Sequence, residues 1–292
     1  MNTAEMTDRI ANGQGFIAAL DQSGGSTPKA LRGYGVDDSE WSGDEEMFGK
    51  IHEMRSRVIT APSFANSKVI GAILFEKTMD GEVDGKPTAE ALKDRGVVPF
   101  IKVDQGLEDE AEGVQLMKPL DKLAALLEKS VAKGMFGTKM RSVIKSADAG
   151  GIAKIVSQQF EVGRQILAAG LMPILEPEYN IKSGDRAEGE NILRDAIMDE
   201  LSKDGPEVML KLSIPVNPGQ YADAIAHPRV ARVVALSGGY SRDEACAELA
   251  KNEGMIASFS RALLEELRDQ MDDKQFDDAL DTAIEEIYCV SG

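Results

Sequence analysis

Cysteine and histidine are scarce: the chain has two of each in 292 residues. Two cysteines cannot supply the framework of a disulfide-stapled secreted domain, and their rarity points to a reducing, cytoplasmic setting. Cys246 lies in the helical stretch DEACAELAKN, where it reads as a small buried hydrophobe, and Cys289 has no partner at a metal-site spacing. His52 and His227 stand far apart, outside any ligand or triad pattern. Metal-centred and histidine-centred chemistry are therefore not expected, and no cofactor is implied. Long apolar runs are missing too. None approaches the roughly 18 residues of a membrane helix, and MNTAEMTDRI lacks the basic-then-apolar layout of a secretory signal.

Positive charge is the third shortage. Lys and Arg total 33 against 50 Asp and Glu, a net charge of -17. A field of that sign repels phosphate backbones, which argues against non-specific nucleic-acid binding. Any phosphate-bearing substrate must then be met by a local cluster of Lys, Arg and backbone N–H groups. Most of the acid reads as solvated surface. With 42% hydrophobic residues the chain has a sizeable core to bury, and disorder does not describe it.

What the chain has in abundance is alternation. Candidate strands are Gly15–Asp21, Val69–Glu76, Val97–Asp104, Gly137–Ile144, Leu171–Glu178, Val208–Ile214, Val230–Ser237 and Met255–Ser260. The fourth and eighth are the least strand-like. Helical patterns lie between them: Gly151–Ala169 repeats apolar residues at Ile152, Ile155, Val156, Phe160, Ile166 and Leu167, and Asp121–Ala132, Glu190–Leu201 and Asp243–Asn252 behave likewise. Pro119 and Gly170 are the expected helix punctuation. Val36–Glu46 and Met79–Pro87 read as surface loops. Eight buried-looking strands separated by helices predict an α/β fold, a (β/α)₈ TIM barrel, over a doubly wound sheet. No G-x-G-x-x-G follows the first strand, which weakens the dinucleotide-binding alternative. No linker or repeat divides the chain. The expected organisation is one barrel domain over residues 1–292, ending in a C-terminal helix and short tail, since such barrels take about 250 residues.

In a barrel, strand interiors are packed and apolar while functional groups sit at the C-terminal strand ends. Charged residues here fall late in the strands. Asp21 closes the first, Glu76 the second, and Lys102 and Asp104 the third; Lys139 and Arg141 lie in the fourth, Glu176 and Glu178 end the fifth, and Lys211 is in the sixth. Any one of these alone reads as a solvated strand end or structural ion pair. Together they could compensate one another inside one mouth. In MLKLS, Lys211 stands among apolar neighbours that disfavour its charged form, and a second cation, with Lys139 the candidate, would push the same way. An amine that sheds its proton is a Schiff-base nucleophile. The competing reading is a buried salt bridge to Glu176 or Glu178. Ser237-Gly238-Gly239, with a helix just after it, reads as a phosphate cradle, and Arg261 after the next strand strengthens it. Asp21-Gln22-Ser23-Gly24-Gly25-Ser26 after the first strand is a second anion-binding candidate, with Lys102 or Lys29 supplying charge. It reads equally as a loop capping the next helix.

The segments AALDQSGGS, ILFEKT, FIKVDQG, TKMRSVIK, PILEPE, LKLS, LSGGYS and SFSRAL resemble class I fructose-1,6-bisphosphate aldolases, in the family's order and over about residues 15–265. The length resembles the shorter bacterial form. The resemblance implies that Lys211 is the Schiff-base lysine and Glu176 the acid/base of carbinolamine dehydration. It implies that Glu178 and Lys139 shape the electrostatics around the lysine and that Asp21 handles the C4 hydroxyl proton. Ser237, Gly238, Gly239 and Arg261 would then hold the phosphate of the dihydroxyacetone half, and Ser23, Ser26, Lys102 and Arg141 the other end. The chain departs from longer members in its tight connection between Lys211 and Ser237. It has Gln22 where an acid is common, Lys29-Ala30 in place of a basic pair, and Tyr288 as the tail's candidate tyrosine.

A phosphosugar isomerase or non-covalent lyase using the carboxylates, and a non-catalytic protein on an inherited barrel, are the competing functions. The expected partners are a small phosphosugar and further copies of the chain, without nucleic acid or membrane.

Overall fold

The computed structural model describes residues 1–65 and 67–292. Eight strands run parallel: β1 Phe16–Leu20, β2 Val69–Leu74, β3 Val98–Lys102, β4 Gly137–Ile144, β5 Met172–Tyr179, β6 Val208–Ser213, β7 Val230–Leu236 and β8 Ile256–Ala257. Each pairs with the next in chain order. The ring closes where the Ala19 N–H donates to the Phe259 carbonyl at 3.0 Å. Connecting helices cover the outer face, so the strands are buried on both sides; β1, β2 and β6 have no exposed position. This is the expected (β/α)₈ barrel.

The fourth strand, doubtful by pattern, is among the longest, with the bounds its sequence suggested. The eighth keeps only two regular ladder residues, although the Ser258 N–H still donates to the Ala235 carbonyl and the Phe259 carbonyl still accepts from β1; the chain bends at Ser260 into the short helix Arg261–Leu264. The expected helices are present with shifted starts, at Ala149–Ala168, Leu123–Ala132, Arg186–Leu201 and Arg242–Leu249. Pro119 lies ahead of its helix, whereas Gly170 takes φ +84 just past a helix end, as punctuation should.

Both expected surface loops need correcting. Val36–Glu46 contains the 3₁₀ turn Asp38–Glu40 and the start of the helix Gly43–Thr60. Met79–Pro87 begins in the helix Glu76–Asp80 and ends in a hairpin, Glu82–Val83 against Lys86–Pro87. Its turn is Asp84-Gly85, both at positive φ (+55 and +71), the Asp-Gly pair that a tight hairpin prefers.

The barrel interior below the mouth is solid. Ile17, Phe100, Ile174, Met209, Val234 and Ile256 pack there together, each at most 1% exposed. The helix Thr3–Asn12 stoppers the N-terminal end by adding Met6 and Ile10 to the same cluster. Its start is fixed by a capping box in which Asn2 and Glu5 bond each other's backbone N–H. Arg232 on β7 donates to the carbonyls of Ile10 and Gly13, at 2.9 and 3.1 Å.

Cys246 is half-buried rather than buried. Burial, then the charge of Glu286, pushes its thiol up to about 11, and both cysteines are free. Among the described residues no helix is long and apolar enough to cross a membrane.

Candidate active site

The strand period carries apolar side chains inward at the bottom and polar ones inward at the top. On β3 the inward sequence is Val98, Phe100, Lys102; on β5 it is Ile174, Glu176, Glu178; on β6 it is Met209, then Lys211. Register brings these together. Lys102 stands opposite Lys139, Arg141 opposite Glu176, and Lys211 opposite Val234 of β7. All thirteen site residues suggested by the sequence line one cavity of about 1460 Å³ at the C-terminal end of the barrel.

At its base lies a four-membered charge cluster. Lys211 and Lys139 are each 3% exposed and Glu176 is 4% exposed. Glu176 offers Oε1 to Lys211 Nζ at 3.3 Å and Oε2 to Lys139 Nζ at 2.9 Å. Lys139 reaches across the mouth from β4 to Asp21, 2.6 Å away, just past β1. The lysines therefore share one carboxylate, and the buried charges sum to zero. Burial by itself would raise the Asp21 carboxyl, but Lys139 and then Lys211 outweigh it and hold Asp21 well below the usual carboxylate range. The same balance lowers Glu176. For Lys139, burial opposes the charge, and Asp21 with Glu176 more than offsets it, so its pKa is raised above that of an ordinary lysine.

Glu178 is drawn elsewhere. Its Oε2 accepts from Arg141 Nε at 2.5 Å, a bond that outweighs burial and raises the guanidinium's pKa. Asp104, on the third strand's extension, bonds Lys102 Nζ at 2.7 Å and the Arg141 backbone N–H at 3.1 Å. The sequence had marked Asp104 only as a strand end. Glu76 lies at the rim and pairs with Lys129 at 3.0 Å.

Beside Lys211, β7 runs into the turn Ser237-Gly238-Gly239. Both glycines have left-handed backbone, φ +60 and +117. A Cβ at Gly238 would lie 2.6 Å from Ile181 Cγ2, and one at Gly239 would lie 3.4 Å from Arg261 Nη2, which places the guanidinium against the turn. The helix Arg242–Leu249 starts just beyond, capped by Ser241. The glycine turn and an arginine thus meet at one spot, just ahead of a helix start. The other loop, after β1, forms a 3₁₀ turn in which Ser26 Oγ donates to the Ser23 carbonyl at 2.9 Å. Gly24 and Gly25 face open space there, and Lys29 lines the same wall.

Several lining residues escaped the sequence reading. Ser258 and Ser260 point inward beyond β8; their signal was the alternation with Ile256 in MIASFS. Ser258 Oγ is buried and has no partner among the described residues, while Ser260 accepts from Gln22 Nε2. Lys122 and Arg268 come from distant loops with no local signal. Tyr288 is not at the mouth. It ends the helix Asp273–Tyr288 beside Lys68, which leads into β2 at the opposite end of the barrel, with Lys68 Nζ 5.5 Å from the ring centroid. Among the described residues no group of three or more His, Cys, Asp or Glu is arranged to hold a metal.

Fold and mouth define a (β/α)₈ protein with buried lysines at the C-terminal strand ends and a Ser-Gly-Gly turn with an arginine beside them. Residues 2–192 match the family model of class-I fructose-bisphosphate aldolase, and the chain belongs to that family. The match ends before Lys211. Among solved structures, the fold is similar to fructose-bisphosphate aldolase from Plasmodium falciparum, crystallised with TRAP and a small-molecule inhibitor. That likeness has TM-score 0.80 at 20% identity, over 99% of this chain and 93% of that one. An archaeal fructose-1,6-bisphosphate aldolase whose catalytic lysine carries a carbinolamine intermediate is also similar, with TM-score 0.56 at 13% identity, over 98% of this chain and all of the other.

Proposed function

We propose that the chain is a class I fructose-bisphosphate aldolase, a lyase that reversibly cleaves fructose 1,6-bisphosphate into dihydroxyacetone phosphate and glyceraldehyde 3-phosphate. Lys211 forms the Schiff base. The observation that carries this reading is the position of Lys211: buried at the cavity base, 3.3 Å from Glu176 and one strand from the Ser-Gly-Gly turn. Family membership supports the same chemistry.

The residues divide the work as follows. Glu176 accepts the proton that Lys211 must lose before its amine attacks the C2 ketone, and returns a proton to the departing hydroxyl as water leaves. The resulting iminium takes up the electron pair of the C3–C4 bond. Asp21, held ionised by Lys139, receives the C4 hydroxyl proton as the aldehyde forms. Protonation at C3 and hydrolysis of the iminium release the ketone and restore the amine. Ser237, Gly238, Gly239 and Arg261 hold the phosphate on the ketone side, and Ser23, Ser26, Lys102 and Arg141 orient the far end. Lys139 and Glu178 fix the charges around these groups. The whole chain acts as one barrel domain, in the cytoplasm, with the phosphosugar and further copies of itself as partners.

Borohydride reduction in the presence of dihydroxyacetone phosphate should leave a mass adduct on Lys211. Lys211→Met should lose both the adduct and cleavage while keeping its circular dichroism and melting behaviour. A competent wild-type enzyme without the adduct, or cleavage by Lys211→Met, would overturn the mechanism. Cleavage should also be unchanged by EDTA.

A further inference from the structure

Behind the loop Asp21–Ser26, on the helix Gly43–Thr60, Arg55 is fully buried. Its Nη1 donates to Thr78 Oγ1 at 2.8 Å and its Nη2 donates to the Gln22 carbonyl. The Nε has no partner, and among the described residues no carboxylate forms an ion pair with this guanidinium. A buried cation is ordinarily paired, because low-dielectric surroundings make an uncompensated charge costly. Arg55 is not. Burial pushes its guanidinium down to about 10, and only Asp21 pushes back, a carboxylate already bonded to Lys139 at 2.6 Å.

The loop that Arg55 holds from behind faces the cavity in front. Gly24 and Gly25 have nothing within 4 Å of a Cβ position, and Lys29 stands on the same wall. Of the cations at this end, Lys102 is engaged by Asp104 and Arg141 by Glu178, while Lys29 and Lys122 have no ion-pair partner among the described residues. We propose that Arg55 is a positioning residue for the second phosphate of the substrate. It pins Gln22 so that the loop keeps its shape, and it supplies a charge whose missing counter-ion is the phosphate bound on the loop's open face. The inference rests on the aldolase reading above and deepens it, since it makes the chain selective for a ketose phosphorylated at both ends. In a low-dielectric wall a charge acts across a layer of backbone with little screening, so Arg55 need not touch the phosphate.

The test compares fructose 1,6-bisphosphate with fructose 1-phosphate in wild type, Arg55→Met and Arg55→Lys. Arg55→Met should raise KM for the bisphosphate by about tenfold or more. Its kcat/KM for the monophosphate should fall by no more than about threefold. Arg55→Lys, which keeps a charge, should recover most of the bisphosphate KM. Equal losses for both substrates would mean a purely structural role, and no change for either would mean no role; each overturns the proposal. If Arg55→Met does not fold, Arg55→Gln takes its place under the same reading: a raised bisphosphate KM with the monophosphate nearly unchanged supports the proposal, and parallel or absent changes sink it. Borohydride trapping with dihydroxyacetone phosphate separates the two levels. Wild type that forms no adduct defeats the aldolase reading itself, whereas trapping without substrate-selective Arg55 effects defeats only this inference.

Discussion

Glu176 presents one oxygen to each lysine, and Asp21 completes the charge balance through Lys139. The cluster has a definite pH signature. Asp21 and Glu176 have folded-state values below their ordinary 3.8 and 4.5, so their stabilisation is complete above that range and is lost as pH falls below it. Lys139 is shifted upward, so its share is complete below 10.5 and is lost as pH rises beyond that. Lys139→Met should leave both carboxylates facing burial with less compensation and move the acid edge of stability to higher pH. Melting temperature followed from pH 3 to pH 8 (a range of roughly five units around these values) checks it, and an unmoved edge would contradict this account. Lys211 was legible in the sequence because a lone charge among apolar strand residues needs a reason. Arg55 was not. In HEMRSRV it looks like an ordinary helix-surface cation, and only the packing of that helix behind the first loop buries it.

Strands carry this site: β4 presents Lys139 and Arg141, and β5 presents Glu176 and Glu178; β4 is the more tightly constrained at its start. It begins at Gly137, where a Cβ would lie 2.3 Å from the Met172 carbonyl and 2.7 Å from the Phe100 ring. Gly137→Ala should therefore destabilise the fold by about 1–3 kcal/mol through overpacking and lower kcat by displacing the strand. Denaturant unfolding and initial rates measure the two effects, and full stability would show that the ring gives way at no cost. Gly137–Ile144, with Lys139, Met140 and Arg141 in its middle, is weakly strand-like by itself and could be read only from its spacing within the alternation of strands and helices. The helix Thr3–Asn12 and the Asp84-Gly85 hairpin went unread although both carried local signals, the Asn2/Glu5 cap and the Asp-Gly pair. Shortness hid the hairpin, since a two-residue strand shows no period; the helix buries only Met6 and Ile10, too few apolar positions to mark a stripe. The last strand was overestimated in regular length: Met255–Ser260 has strand-like residues, but only Ile256–Ala257 form regular ladder pairs, and Ser258 and Ser260 carry the same alternation on into the cavity.

Closure belongs to the whole molecule, and it relies on β8, a strand of two residues. Support comes from the chain's far end: Ser291 Oγ accepts from the Ala257 N–H at 3.1 Å and donates to the Ile287 carbonyl at 2.8 Å. Ser291→Ala leaves a buried N–H unpaired and should cost about 1–3 kcal/mol, read as a lower melting temperature with the borohydride adduct retained. An unchanged melting temperature would show that β7 and β1 hold β8 unaided. Eight strand signals made the closed ring legible, while the tail's anchorage depended on a contact between residues 34 positions apart in sequence. The stopper formed by Met6 and Ile10 makes the barrel a vessel with a single mouth. On the proposed mechanism, substrate and both products share that passage, and the ketone half tethered to Lys211 at the bottom waits while the aldehyde half departs. Turnover is thereby sequenced by geometry. Added aldehyde should meet the loaded enzyme and reverse the cleavage, whereas added ketone should compete with substrate for the empty one. Product-inhibition kinetics read the two patterns apart.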